Sequence, residues 1–415
     1  MSHKRRVVVT GYGGICSLGM NSGDIWDAIL KYRSGYAIED HPDPSVTARF
    51  FGFIKPELDT SRVPKRILKV LPRFARLGMI AADEAMQMAF AKVSIDEVYS
   101  PFDRGVIFGT GWGGLDETID HHDEYRDEGL TNAFSNIYAM YSVASAAMSM
   151  HWNMRGYQNT PVAACATGSM AIGDAAEIIR QGRAKIMLAG GGESIRGAFN
   201  RWSVDVLGAL SKEQEDLEKA CCPFSKDRSG FVMSEGAAVL CLEDYEVAAA
   251  RGAKIFGEIV GYGSYSDAFD WTSPATDCLG RQRSIHAALD DAAISASDID
   301  YVNAHGTSTQ LNDLNETECL KLALGNAVRG IPISSTKSYT GHLIAGAGAL
   351  ESIFCLKAMA DGTVPATFHL NNPDPLCDLD YVPNTHRFGH AIDTVLNINY
   401  GFGGANTALV FRKLA

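Results

Sequence analysis

The 415-residue sequence has no apolar stretch near the roughly 18–20 residues that a membrane-crossing helix needs, so no membrane insertion is expected. Its opening, MSHKRRVVVTGYGG, is basic but lacks the apolar core and small-residue cleavage site of a signal peptide. Positive charge is not in excess: 37 Lys and Arg against 49 Asp and Glu leave a formal charge of −12, which argues against general nucleic-acid binding. None of the nine cysteines falls in a C-x-x-C pair, and adjacent Cys221 and Cys222 are poorly placed for an ordinary disulfide. No metal site is expected from such spacing, and reduced thiols in a cytoplasmic setting fit best. Neither GxSxG nor a phosphate-binding P-loop occurs. The run VVVTGYGGICSLG imitates a dinucleotide-binding start, yet it has no glycine at position 16 and no acid after a following strand.

What is present is an alternation. Short apolar runs lie at Val7–Thr10, Val106–Gly109, Pro161–Ala164 and Ile186–Ala189, the last ended by Gly190–Gly192. Later runs lie at Ile255–Val260, Tyr301–Ala304, Ile331–Ser335 and Val395–Asn399. Helical patterns intervene, notably around 313–324 and 345–361. With 46% hydrophobic residues and no low-complexity linker, this reads as one compact α/β protein of two similar halves, 1–250 and 251–415. Glu243–Gly252 is the expected seam. In such sheets chemistry collects beyond the carboxyl ends of the strands.

Four segments carry candidate chemistry. In AACATGSMAIGDAAEIIRQG, Cys165 stands between an apolar run and an amphipathic helix built on Ile172, Ala175, Ala176 and Ile179, with Gly182 as its stop. Backbone N–H groups and the helix dipole there stabilise an anion and favour thiolate; the alternative is a small buried hydrophobe. In YVNAHGTSTQLNDLNE, His305 follows a strand-like run and small residues leave its imidazole accessible. Asp313 and Glu316 open the next helix, where acids suit the dipole. In ISSTKSYTGHLIAGAGALE, Lys337 beside an apolar run needs a partner, and Glu351 can supply it near His342. NYGFGGAN is either a buried turn or a gate able to donate an oxyanion N–H. The acidic HHDEYRDE reads as a solvated helix face. The basic run 61–76, with Arg62, Lys65, Arg66, Lys69, Arg73 and Arg76 and no acid, is either a solvated face or a dock for an acidic partner.

Taken in order over nearly the whole chain, ACATGS, NAHGTST, KSYTGH and GFGG make the sequence similar to the elongating β-ketoacyl-acyl carrier protein synthases. The stretches RRVVVTGYGGICSLG and CPFSKDRSGFVMSEGAAVLCLE add to the resemblance. It implies the thiolase fold, two α/β halves stacked as five α-β-α-β-α layers. It implies that Cys165 accepts the acyl group and that His305 and His342 serve malonyl decarboxylation and condensation. Lys337 and Glu351 then support the site, and the backbone N–H groups of Cys165 and Phe402 form the oxyanion hole. Phe231, Tyr400, Gly401, Gly403 and Gly404 fall at the pocket and gate. No cofactor is implied, since substrates ride on the phosphopantetheine of an acyl carrier protein. That acidic partner would dock on Arg62, Lys65, Arg66, Lys69 and Arg73. The enzyme would be a homodimer or pair with a chain-length-factor-like subunit.

The sequence departs from the family pattern at Cys165-Ala166-Thr167, at Thr309-Gln310-Leu311-Asn312-Asp313, at Tyr339 and at Tyr400. Trp112 stands where an aliphatic residue usually lines the acyl pocket, so a shortened or redirected pocket is expected. These departures set type II polyketide or aryl-polyene synthesis beside fatty-acid elongation. Two rival readings are a CoA-dependent thiolase, against which His342 speaks, and a non-catalytic chain-length factor, against which Cys165 speaks.

Overall fold

The computed structural model describes residues 4–414. The strands that carry the architecture are β1 (Val7–Cys16), β2 (Arg104–Gly109), β3 (Gln158–Asn159), β4 (Ile186–Glu193) and β5 (Gly236–Asp244). They are followed by β6 (Gly257–Ser266), β7 (Tyr301–Asn303), β8 (Ile333–Ser334), β9 (Thr394–Gly401) and β10 (Ala405–Arg412). They lie in the order β8-β7-β9-β10-β6-β1-β5-β4-β2-β3. Each set of five, numbered from its own first strand, therefore reads 3-2-4-5-1. The directions repeat as well: β2 runs parallel to β3 and β4, as β7 does to β8 and β9. β5 runs antiparallel to β4 and β1, as β10 does to β9 and β6. The sets meet where Val8 pairs with Glu258 and Val9 with Gly257.

The helices that complete the layers include α1 (Arg73–Ala89), α2 (Leu115–Glu128), α3 (Val143–His151), α4 (Thr167–Arg180), α5 (Leu279–Ala292), α6 (Gln310–Leu324) and α7 (Ala347–Asp361). α4 and α7 form the central layer, packed on each other and on strands of both sets. α7 buries twelve of its fifteen residues, as a helix enclosed on every side must. A large apolar core joins Ile172, Ala176 and Ile179 of α4 to Leu350, Ile353 and Phe354 of α7. A second core lies under α1 and α3, and a third under α5 and α6. The result is the five-layer thiolase fold.

Three expectations need correction here. Residues 161–164 form no strand, because β3 ends at Asn159 and Ala164–Ala166 is already a turn of 3-10 helix. The Gly190–Gly192 run does not end β4, which continues to Glu193. The glycines let other chain segments cross closely: a Cβ on Gly191 would sit 2.4 Å from the Ala345 carbonyl oxygen. The cysteines are not all reduced, since Cys278, just before α5, and Cys319, within α6, are joined with Cα atoms 5.4 Å apart. That proximity comes from helix packing and leaves no spacing signal in the sequence. The other seven cysteines are free and buried.

Candidate active site

The turns that open the two central helices resemble each other. Ala164–Ala166 precedes α4 and Ile344–Gly346 precedes α7, each as a short 3-10 turn, and the two turns touch. Each begins with a non-glycine residue in the left-handed region, Ala164 at φ 46° and Ile344 at φ 50°. Such backbone persists only where surrounding packing fixes it, and it concentrates at functional sites. The first turn presents Cys165; the Thr167 hydroxyl holds it by accepting the Ala163 N–H at 2.8 Å. His342 stands just before the second turn. Its backbone N–H donates to the Val232 carbonyl at 2.7 Å, and its carbonyl accepts the Ser234 N–H at 2.9 Å.

His305 arrives on the loop after β7. Glu316 of α6 receives the backbone N–H groups of His305 and Gly306, one on each carboxylate oxygen, both at 2.7 Å. Asp313 receives that of Thr307 at 3.1 Å. These acids reach back to hold the histidine loop, a task the dipole reading of the helix start did not anticipate.

The Cys165 sulfur and ring nitrogens of His305 and His342 lie within 4.8 Å of one another, all three side chains buried. They share a cavity of about 350 Å³. Phe231 packs edge-on to His342 with ring centres 5.1 Å apart, and Tyr400 similarly to His305 at 5.5 Å. Lys337, buried, donates to the His305 carbonyl and to Glu351 Oε1, both at 2.6 Å, and sits 3.5 Å from His305 Nδ1. Asn399 of β9 donates to Glu351 Oε2 at 2.6 Å, completing a row of bonds under the imidazole.

Proton positions follow from the donors. The Ile344 N–H donates to His342 Nδ1 at 3.2 Å, so the neutral ring carries its proton on Nε2. That Nε2 is buried and unpartnered among the described residues. Lys337 beside His305 Nδ1 selects the same tautomer there. Burial, then the Lys337 charge, pushes both histidines well below the ordinary imidazole value. Two neutral imidazoles therefore offer N–H groups to an oxygen in the cavity. A thiol and two imidazoles could also be a soft-metal donor set, but a protonated Nε2 has no lone pair for a cation.

The expected acidification of Cys165 does not hold in this buried setting. Burial pushes the thiol up to about 12; the Lys337 charge and the Phe402 backbone N–H act the other way. Desolvation outweighs the helix terminus. The same Phe402 N–H faces the sulfur, the place an oxyanion donor occupies. Gly401 allows this approach, because a Cβ there would lie 2.3 Å from the Ala163 carbonyl oxygen. Gly403, Gly404 and half-exposed Phe402 line the cavity mouth.

This triad of thiol and imidazoles, fed by two matching half-folds, is where likeness to known proteins decides the family. Residues 4–248 match the model of the β-ketoacyl synthase N-terminal domain, and residues 256–371 that of the C-terminal domain. The chain belongs to the β-ketoacyl synthase family. A relative named 3-oxoacyl-[acyl-carrier-protein] synthase 2, from Synechocystis, is 40% identical over 413 residues, 99% of this chain and 98% of the relative. A solved type II polyketide ketosynthase in complex with its acyl-carrier protein matches with TM-score 0.91 and 33% identity, covering 100% of both chains. The ishigamide ketosynthase/chain length factor matches with TM-score 0.88 and 28% identity over 99% of this chain and 100% of that one. This β-ketoacyl synthase is a condensing acyltransferase of the 3-oxoacyl-[acyl-carrier-protein] synthase type.

Two assigned surfaces depart from expectation. Arg73, expected among the docking cations, is instead partly buried, and its guanidinium forks onto buried Glu235 at 2.6 and 2.9 Å. Arg62, Lys65, Arg66 and Lys69 stay exposed, Arg62 paired with Asp83 and Lys69 over the Phe134 ring at 5.0 Å. Trp112 does not line the cavity; it packs in the apolar cluster that includes Cys165, Phe231 and Ile344. The sequence did not reveal Arg281 in the cavity wall, Glu316 as the anchor of the His305 loop or Asn399 on Glu351, because each is placed by contacts between elements distant in the chain. The acidic run 121–128 is, as expected, an exposed part of α2.

Proposed function

We propose that the first half of the chain, to about residue 250, takes up an acyl chain and that the second half activates malonyl-carrier protein to extend it. The observation that carries this is the Cys165 sulfur held within 4.8 Å of two imidazoles on one cavity wall. Cys165 attacks the acyl thioester while the N–H groups of Cys165 and Phe402 receive the developing oxyanion. The thiol proton leaves with the pantetheine sulfur, so this exchange needs no net base.

In the second half-reaction the malonyl carbon–carbon bond breaks and CO₂ leaves. The electron pair forms an enolate whose oxygen takes hydrogen bonds from His305 and His342 Nε2. The enolate carbon bonds to the acyl carbon, the carbon–sulfur bond to Cys165 breaks, and a proton from solvent restores the thiol. Lys337 and Glu351 fix the His305 tautomer and orientation. Tyr400 and the Gly401–Gly404 loop gate the cavity, with Phe231 as its opposite wall. No cofactor takes part.

The exposed cations Arg62, Lys65, Arg66 and Lys69 form the carrier-protein dock. The enzyme is cytoplasmic, and it acts as a homodimer or beside a chain-length-factor-like subunit. Although Trp112 lies outside the cavity that the three reactive groups share, its packing on the apolar cluster that holds Cys165 fills space an acyl chain on that sulfur would need, favouring short or non-linear chains, as in a polyketide or aryl-polyene setting rather than housekeeping fatty-acid elongation.

Incubation with an acyl-carrier protein, then with malonyl-carrier protein, tests the reading by intact mass. The expected result is an acyl adduct on Cys165 followed by a 3-oxoacyl carrier two carbons longer. No adduct on Cys165 would instead mark a binding subunit, and turnover only with acyl-CoA pairs would mark a thiolase. Trp112→Ala should lengthen the linear chains accepted; an unchanged product profile would refute the pocket assignment.

A further inference from the structure

One cation in the cavity wall has no task in this chemistry. Arg281, in the first turn of α5, is 5% exposed and lines the same cavity as Cys165, His305 and His342. Its guanidinium carbon lies 3.9 Å from the centre of the Tyr400 ring. Its Nε and Nη1 have no hydrogen-bond partner among the described residues, and neither has the buried Tyr400 hydroxyl.

The neighbouring acids are engaged elsewhere. Glu316 holds the His305 loop and takes an Asn312 amide hydrogen; Asp313 accepts the Phe224 and Thr307 N–H groups; Asp267 accepts the Asn406 side chain at 2.7 Å. Stripping a guanidinium of water without hydrogen bonds costs more than one aromatic face returns. Burial draws the Arg281 pKa below its ordinary value, outweighing the opposing influence of Tyr400, Glu316, Asp267 and Asp313. Guanidinium N–H groups beside a phenol O–H complement a planar group bearing two acceptor oxygens and a negative charge.

We propose that Arg281 and the Tyr400 hydroxyl bind the free carboxylate of the malonyl group, selecting a carboxylated extender over a plain acyl thioester. The inference rests on the reading that malonyl-carrier protein is the second substrate. Arg281 and His305 both stand beside the Tyr400 ring, 3.9 and 5.5 Å from its centre. In the cavity that Arg281, His305 and His342 all line, a malonyl unit hydrogen-bonded at both ends would have its carboxylate at the arginine and its thioester oxygen at the histidines. Arg281 is thus a positioning residue. It stabilises the carboxylate before bond breaking and has no hold on neutral CO₂ afterwards. Its removal raises KM for the extender more than it lowers kcat.

The test is calorimetric and needs no turnover. Malonyl-pantetheine with an amide nitrogen in place of the thioester sulfur, which resists decarboxylation, is compared with its acetyl counterpart. The wild-type enzyme should prefer the malonyl analogue by roughly tenfold to a hundredfold. Arg281→Gln should erase that preference, Arg281→Lys keep part of it, and Tyr400→Phe weaken it a few-fold. In steady state, Arg281→Gln should raise KM for malonyl-carrier protein with a smaller change in kcat. Equal wild-type binding of both analogues would overturn the proposal. So would a full preference retained in Arg281→Gln, or both analogues weakened alike. A preference intact in an enzyme that does not condense would refute the function proposed above and leave the carboxylate site standing.

Discussion

The two halves share one strand order and place different chemistry at matching points. Ala164 and Ile344 adopt the same rare backbone at the start of the two central helices. Beside the first stands a thiol, beside the second an imidazole. Their electrostatic surroundings diverge further. In the first half, buried Glu193 takes the N–H groups of Gly111 and Trp112 and the Thr110 hydroxyl, with no cation bonded to it among the described residues. Burial pushes its pKa up to about 8. In the second half, buried Glu351 is bonded to Lys337, which also holds His305. A duplicated frame fixes where reactive groups meet, and residues behind each tip decide what those groups do.

Breaking the tips gives the largest effects. Cys165→Ala should abolish acylation and condensation together, read by intact mass. His305→Ala or His342→Ala should cut condensation by roughly a hundredfold to ten-thousandfold while acylation of Cys165 continues. Next comes the ion pair behind the second tip. Lys337→Ala leaves Glu351 buried without its cation and should destabilise the fold by about 3–5 kcal/mol, measured by denaturant unfolding. The Lys337→Met/Glu351→Leu pair should lose less stability than that single variant. Glu316→Gln removes one acceptor from the His305 loop and should slow condensation about tenfold, with a smaller effect on acylation.

Acidity separates the halves more gently. Glu193 at about 8 keeps its proton in the folded chain where the unfolded chain has lost it. Its contribution to stability therefore falls as pH rises from the ordinary carboxylate range to about 8. His305 and His342 act in the opposite sense. Unfolded imidazoles gain protons below about 6.5 and the buried ones do not, so stability falls as the solution is acidified through that value. Glu193→Gln should flatten the decline as pH rises toward about 8 and His342→Asn the one on acidification, both followed by unfolding midpoints across pH. The smallest effect belongs to the proposed carrier dock. Lys65→Glu with Arg66→Glu should raise KM for carrier protein several-fold, less so at high salt.

Much of this was legible in one chain. The alternating runs announced the α/β layers, and Cys165, His305, His342, Lys337 and Glu351 sat in short motifs whose residue types suit the chemistry. Spacing could not reveal the match between strand orders, because β3 and β8 are two-residue strands with almost no sequence signal. Arg73 looked like its exposed neighbours until packing turned it onto Glu235. Arg281 sits in a polar-looking helix start, and only the approach of β9 makes it a buried cation against Tyr400. The thiol's pKa depended on depth, which a helix pattern does not encode.

The division of labour between the halves is tested most directly by following both half-reactions in His342→Ala. The protein is loaded from an acyl-carrier protein and then chased with malonyl-carrier protein, with intact mass read at each stage. A Cys165 adduct that forms and then persists unextended is the result expected. An extended product, or a folded protein that no longer acquires the adduct, would contradict it.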